Sequence, residues 1–345
     1  MKCSFGIGIV GAVIVIVTVL TVSGPNMLWG SEAVAQAPET TAEVTATPTP
    51  DPYAGLSVTE LAEREYGAGE IEIESTLEEG TDFTRYLVRY PSEGLTVYGF
   101  MNVPRGDGPF PVVLVLHGYV YPPNYRTLAY TTRYADALAS AGYFVFHPNY
   151  RDHLPSDADT ERDLFRVGYA KDVLNLLDLV KTWAGTEGPL GSADGTRIGL
   201  WGHSMGGGIA LRVATVQPDV QAVVLYGAMS GDERKNYERI RMWSGGQRGK
   251  EELAASEEVL QRVSPIHHLQ RITAPVSIHH GERDESVPPE WSEDLCGRLQ
   301  DLGHDVECFT YADQPHTFRG EGDQLFMRRM ISFFDQYLKE RPTES

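Results

Sequence analysis

Two hydrophobic patterns divide the body of this chain. Residues 71–77, 84–90 and 95–103 alternate apolar and polar positions and are separated by turn signals at Glu79-Gly80 and Ser92-Glu93-Gly94. Alternation of period two predicts antiparallel strands with one buried face. From Pro111 onward the apolar runs become continuous, at 112–116, 143–146, 198–201, 220–226 and 276–278. Short continuous runs predict strands buried on both faces, as in a parallel sheet covered by helices. Helical spacing appears between them at 132–141, 169–183, 205–216 and 290–302, and a last strand at 306–311 precedes a closing helix over 324–338. Ser57-x-x-Glu60 is a capping box that starts a short helix running to Tyr66. The predicted fold class is α/β, a mostly parallel doubly wound sheet with an antiparallel N-terminal edge.

One interval exceeds an ordinary connection. Between Tyr226 and Pro275 lie charged, helix-compatible stretches at 232–242 and 251–263. They predict a small helical lid insertion over about residues 231–265, with a mobile glycine-rich tip at 244–249; a surface crossover without that role is the plainer alternative.

Ahead of this body, no charge occurs between Lys2 and Glu32, and residues 5–22 are almost unbroken apolar sequence. That pattern fits both a cleaved signal peptide and a retained N-terminal membrane anchor, and small-residue cleavage patterns occur at Ala33-Val34-Ala35 and Ala35-Gln36-Ala37. The expected organisation is a targeting segment over 1–37, a Thr/Pro-rich linker over 38–52 and a catalytic body over 53–345. The body is expected to be exported, either secreted or anchored to the outer face of the cytoplasmic membrane. Export makes Cys296 and Cys308 the two thiols of the mature chain, and a disulfide between them is expected. The 345 residues carry 48 acidic against 29 basic side chains, a formal net charge of -19. Such a surface excludes nucleic acid as a natural partner and leaves the membrane as a partner only through the N-terminal segment.

The chemistry is concentrated where apolar runs stop. Gly202-His-Ser204-Met-Gly206 follows the run at 198–201 and opens a helical pattern, which is the strand, turn and helix context of a nucleophile elbow. Ser204 is the candidate nucleophile. In an α/β-hydrolase the carboxylate and the base come later in the chain, in that order. Asp284 follows the run at 276–278 and His316 follows the strand at 306–311. The backbone N–H of Met205 and that of Tyr119, in the His117-Gly118-Tyr119 turn after the run at 112–116, are the candidate oxyanion donors. Tyr121, Tyr150 and Met229 are the pocket candidates. The remaining histidines lack metal-ligand spacing, so neither a metal nor a cofactor is expected.

Taken together, His117-Gly118, Pro148-Asn149-Tyr150-Arg151, Gly202-His-Ser204-Met-Gly206-Gly207, Gly281-Glu-Arg-Asp284-Glu-Ser-Val287-Pro288 and Pro315-His316 resemble the catalytic domain of the prolyl oligopeptidase family of serine peptidases. The resemblance covers about residues 87–337. It implies an α/β-hydrolase fold and cleavage of ester or peptide bonds through an acyl-enzyme. The stretch before Leu87 is too short for the family's β-propeller, which favours small substrates. Gly202 to Gly208 with Arg212, Pro218 and Asp219 also resembles bacterial cutinases. A carboxylesterase or cutinase-like polyester hydrolase is therefore the alternative, and a non-catalytic hydrolase-fold binding protein a remote one. The expected partner is a small ester or peptide substrate; nothing in the sequence bears on oligomeric state.

Overall fold

The chain separates into Met1–Thr49 and Pro50–Ser345. The computed structural model describes residues 51–160 and 163–339, all within the second unit. The expected targeting segment and nearly all of the linker lie outside the described residues.

The capping box forms as expected. The Ser57 side chain accepts from the Glu60 N–H, and the Glu60 side chain accepts from the Ser57 N–H, opening α1 (Val58–Ala62). The helix ends earlier than the expected Tyr66. Three strands follow, β1 (Glu72–Glu79), β2 (Phe83–Ser92) and β3 (Leu95–Pro104), paired antiparallel in that order. The chain then alternates strand and helix: β4 (Phe110–Leu116), α2 (Thr132–Ser140), β5 (Phe144–Pro148), α3 (Val167–Trp183), β6 (Ala193–His203), α4 (Met205–Val216) and β7 (Ala222–Tyr226). An insertion carries α5 (Glu233–Trp243) and α6 (Glu257–Val263). It is followed by β8 (Val276–Gly281), α7 (Pro289–Asp301), β9 (Val306–Tyr311) and α8 (Gly320–Phe334).

Among the described residues the nine strands form one sheet in the order β1-β2-β3-β5-β4-β6-β7-β8-β9. Pairing is parallel from β5 to β9 and antiparallel from β1 through the β3–β5 contact. The order reverses at β4 and β6, so the loops that leave their C-terminal ends flank a topological switch point, where α/β sheets bind ligands.

Period-two alternation divides the central strands between two cores. Val112, Leu114 and Leu116 face the core built with α1, α3, α4, α6 and α7. Val113 and Val115 face the core built with α2 and α8. Both faces are covered, which is why these strands read as continuous apolar runs. The expectation of a half-buried face fails for β1, all of whose residues are exposed. It is the edge strand, no helix reaches it, and two register shifts against β2 interrupt its pairing. Bulges and charge are common protection for such an edge.

Cys296 on α7 and Cys308 on β9 form the expected disulfide. The bond ties α7 to the edge strand β9 and closes a loop with a sequence separation of 12. Replacing both cysteines by serine is expected to lower the unfolding free energy by about 2–3 kcal/mol, chiefly by freeing the unfolded chain. Urea denaturation of the two proteins measures the difference, and equal midpoints would show that the brace contributes nothing.

Candidate active site

Ser204 occupies the junction between β6 and α4 with φ 56° and ψ -118°, a region that residues other than glycine rarely adopt. The backbone around it is tied on both sides. Its N–H donates to the Tyr226 carbonyl at 3.0 Å, and its carbonyl accepts from the N–H groups of Gly207 and Met229 at 3.0 and 2.9 Å. The turn closes because Gly202 and Gly206 carry no Cβ. A Cβ at Gly202 would lie 2.7 Å from the Gly207 nitrogen, and one at Gly206 would lie 2.7 Å from the His117 oxygen. The second contact brings the start of α4 against the loop after β4, so Met205 and Tyr119 border one cavity together with Ser204 and Met229. The cavity measures about 290 Å³, and Ile240 and Trp243 of α5 complete its apolar wall.

Asp284 lies in the turn after β8, and His316 in the loop after β9. His316 Nδ1 is 2.6 Å from Asp284 Oδ2. A carboxylate can only accept, so Nδ1 carries the proton and Nε2 is left as the basic nitrogen. Among the described residues no hydrogen bond joins Ser204 to the His316 ring, a contact that commonly tightens only when substrate is bound. The Asp284 side chain is fully buried. Oδ1 accepts from the backbone N–H groups of Ser286 and Val287, both at 2.8 Å, and Oδ2 also accepts from His280 Nε2 at 3.0 Å. Burial by itself would raise the carboxyl pKa. The hydrogen bonds from His280, His316 and Val287 outweigh it and hold the group well below the usual carboxylate range. Beside this pair the backbone of Gly227, at φ 49°, passes so close that a Cβ would lie 3.3 Å from His316 Nδ1 and 3.4 Å from Asp284 Oδ2.

A chain of hydrogen bonds links the three loops. The Gly118 N–H donates to the Tyr130 hydroxyl at 3.0 Å, and that hydroxyl donates to His203 Nδ1 at 2.6 Å. His203 Nε2 then donates to the His316 carbonyl at 2.9 Å. Only a neutral His203 with its proton on Nε2 satisfies this pattern. Burial enforces that state and lowers its pKa to about 3.

Ser204, Asp284, His316, Met205 and Tyr119 thus follow the strands from which the sequence predicts them, and Met229 lines the cavity. Tyr121 does not line it and is 51% exposed. Tyr150 is fully buried with its ring against His117, at 4.4 Å between centroids, and so supports the loop after β4 without facing a ligand. Sequence reasoning missed Tyr130, His203 and His280. His280 stands four residues before Asp284, and that spacing was its only signal. Tyr130 left none, because its contacts lie far along the chain.

The chain matches the prolyl oligopeptidase family over residues 130–341. It belongs to that family. Membership makes it a serine hydrolase. The uncharacterized peptidase YtmA of Bacillus subtilis (strain 168) is 26% identical over 263 residues, covering 74% of this chain and 93% of the relative. A puromycin-hydrolyzing peptidase of Mycobacterium tuberculosis superposes with a TM-score of 0.62 at 20% identity, over 77% of this chain and 41% of that one, so the chain spans less than half of its length. Acetyl xylan esterase 1 from Thermoanaerobacterium sp. JW/SL YS485 superposes with a TM-score of 0.59 at 17% identity, over 84% of this chain and 95% of the esterase. These two likenesses show the α/β-hydrolase fold.

Two predictions follow from the buried histidines and their partners. Tyr130→Phe removes the hydroxyl that joins Gly118 to His203 and leaves two buried groups without that partner, at an expected cost of about 1–3 kcal/mol. It should lower kcat on an ester without a matching rise in KM; a change confined to KM would contradict a positioning role. Burial also depresses His117, His203 and His279 to about 3 and holds His147 well below the ordinary histidine value. The folded state then binds fewer protons than the unfolded state below the ordinary histidine pKa of about 6.5, so stability is complete above that pH and falls as acid is added. Each histidine contributes up to about 1.4 kcal/mol per pH unit. Asp284, with a depressed pKa, acts in a lower window: its contribution is complete above about 3.9 and is lost as pH falls toward its folded value. Urea unfolding measured at several pH values should show a decline from pH 7 to 5, and a flat profile would contradict the neutral burial of these rings.

Proposed function

We propose that Ser204, His316 and Asp284 are the catalytic triad of an exported hydrolase that cleaves small ester or short peptide bonds through an acyl-enzyme. The observation that carries this reading is the 2.6 Å contact from His316 Nδ1 to a buried Asp284, beside a strained Ser204 that shares its cavity with both candidate oxyanion donors. His316 Nε2 takes the Oγ proton as Oγ attacks the carbonyl carbon. The Met205 and Tyr119 N–H groups hold the oxyanion that develops. Collapse of the tetrahedral intermediate breaks the bond to the leaving group, which receives the proton from His316. Water, deprotonated by the same Nε2, then attacks the acyl-enzyme and releases the acid. Asp284 holds the imidazole tautomer and stabilises the imidazolium. The family favours a peptide bond. The cavity of about 290 Å³, walled by Met205, Met229, Ile240 and Trp243, favours a small acyl group of either kind. Export rests on the apolar run at residues 5–22.

A fluorophosphonate probe should label the wild type and fail to label Ser204→Ala; equal labelling of both would remove the nucleophile from this reading. Asp284→Asn should fold and lose about 10⁴-fold in kcat, because an amide no longer dictates the required tautomer. Rates on acyl p-nitrophenyl esters against aminoacyl and peptidyl amides decide between the two bond types.

A further inference from the structure

The cavity at Ser204 differs in charge from the rest of the molecule. The chain carries a formal charge of -19, yet the charged residues lining this cavity are Arg166 and Arg248, and no acid is among them. Arg248 Nη1 donates to the Tyr119 hydroxyl at 2.8 Å. The guanidinium carbons of Arg166 and Arg248 lie 5.6 and 5.8 Å from the centroid of the same Tyr119 ring. Among the described residues neither arginine forms a salt bridge. Beyond the longer-range field of Glu233 on Arg166, an anion entering the cavity would meet two cations that no salt bridge among the described residues neutralises.

Arg166 is held there at a conformational cost. Phe165 and Arg166 both have left-handed backbone, at φ 56° and 54°, immediately before α3. Consecutive residues of this kind are strained and persist only where packing over-determines them. Here the buried Phe165 ring packs edge-on against Tyr237 of α5 at 5.6 Å between centroids. The turn therefore pins Arg166 into the cavity wall through a contact with the insertion. A neighbouring cavity of about 420 Å³, which also reaches Arg166 and Arg248, carries Asp163, Glu251 and Glu252 together with Lys250. These acids do not border the serine.

We propose that Arg166 and Arg248 form a carboxylate subsite, and that the preferred substrate is an ester or amide bearing an anionic group near the scissile carbonyl. The inference rests on Ser204 being the nucleophile of that cavity. The carboxylate could sit on the acyl part or on the leaving group, and two substrate pairs separate these cases: phenyl hemiglutarate against phenyl valerate, and 4-carboxyphenyl butyrate against phenyl butyrate. In the wild type at least one pair should show an anionic-to-neutral ratio of kcat/KM that exceeds the ratio in Arg166→Met/Arg248→Met by at least about tenfold, the scale of a charge-assisted hydrogen bond. Unchanged ratios for both pairs would overturn the subsite. Arg248→Met alone alters only an exposed loop residue and should reduce the ratio part-way. Binding gives a readout independent of turnover. Ser204→Ala should bind glutarate or 4-hydroxybenzoate by calorimetry, more weakly as salt is raised, and lose that binding when both arginines are replaced. Absence of binding by both anions, or binding that survives the loss of both arginines, would also overturn it. Retention of full hydrolysis by Ser204→Ala would instead refute the nucleophile and would leave the calorimetric result to decide the subsite.

Discussion

The site depends on one close approach of backbone to backbone. The first turn of α4 lies against the end of β4 because Gly206 carries no side chain, and the turn before it closes because Gly202 carries none. A methyl group at either position would have to displace main chain, since the atoms it would meet are carbonyls and amide nitrogens. That approach places Ser204 in a strained conformation at the start of a helix, with the free end of β4 beside it. The strain is held by three backbone hydrogen bonds to Tyr226, Gly207 and Met229. The candidate nucleophile and oxyanion loop are thus set by packing of the main chain.

The Asp284 and His316 loops are coupled to this elbow by buried histidines. His203 precedes Ser204 in sequence and also grips the His316 carbonyl, while Tyr130 connects it to Gly118. His280 gives Asp284 a donor in addition to His316. The His203 ring keeps a single proton because burial makes its charged form costly, and a single proton fixes which nitrogen donates. The same burial that orients the site makes it sensitive to acid.

Around this rigid floor the insertion between β7 and β8 contributes a wall. Ile240 and Trp243 make it apolar, and Arg248 with the strained Arg166 makes its charge opposite to that of the molecule as a whole. Arg212 of α4 ties the insertion down, pairing with Glu233 and donating to the Val263 carbonyl at 2.6 Å. The candidate triad thus stands at the ends of sheet strands, while the cavity wall also draws on the insertion and on the turn before α3.

Hydrophobic periodicity alone determined the parallel sheet, its antiparallel start and the loops that carry Ser204, Asp284 and His316. Strands buried on both faces leave a continuous apolar run, and the candidate catalytic residues stand just past the ends of strands. The same reasoning failed at β1, whose alternating residues 71–77 imply a covered face. An edge strand beyond the reach of the helices has none, and sequence does not record which strand lies at the edge. Tyr150, a pocket candidate in the sequence, is turned under His117 by a left-handed backbone that the sequence does not announce. Tyr130, His203 and Arg166 acquire their roles only when segments distant in sequence meet, Tyr130 with Gly118 and His203, and Arg166 with Tyr119 and Arg248. Local pattern reports how a segment is buried; which buried or cationic side chains face one another is decided by how the segments pack.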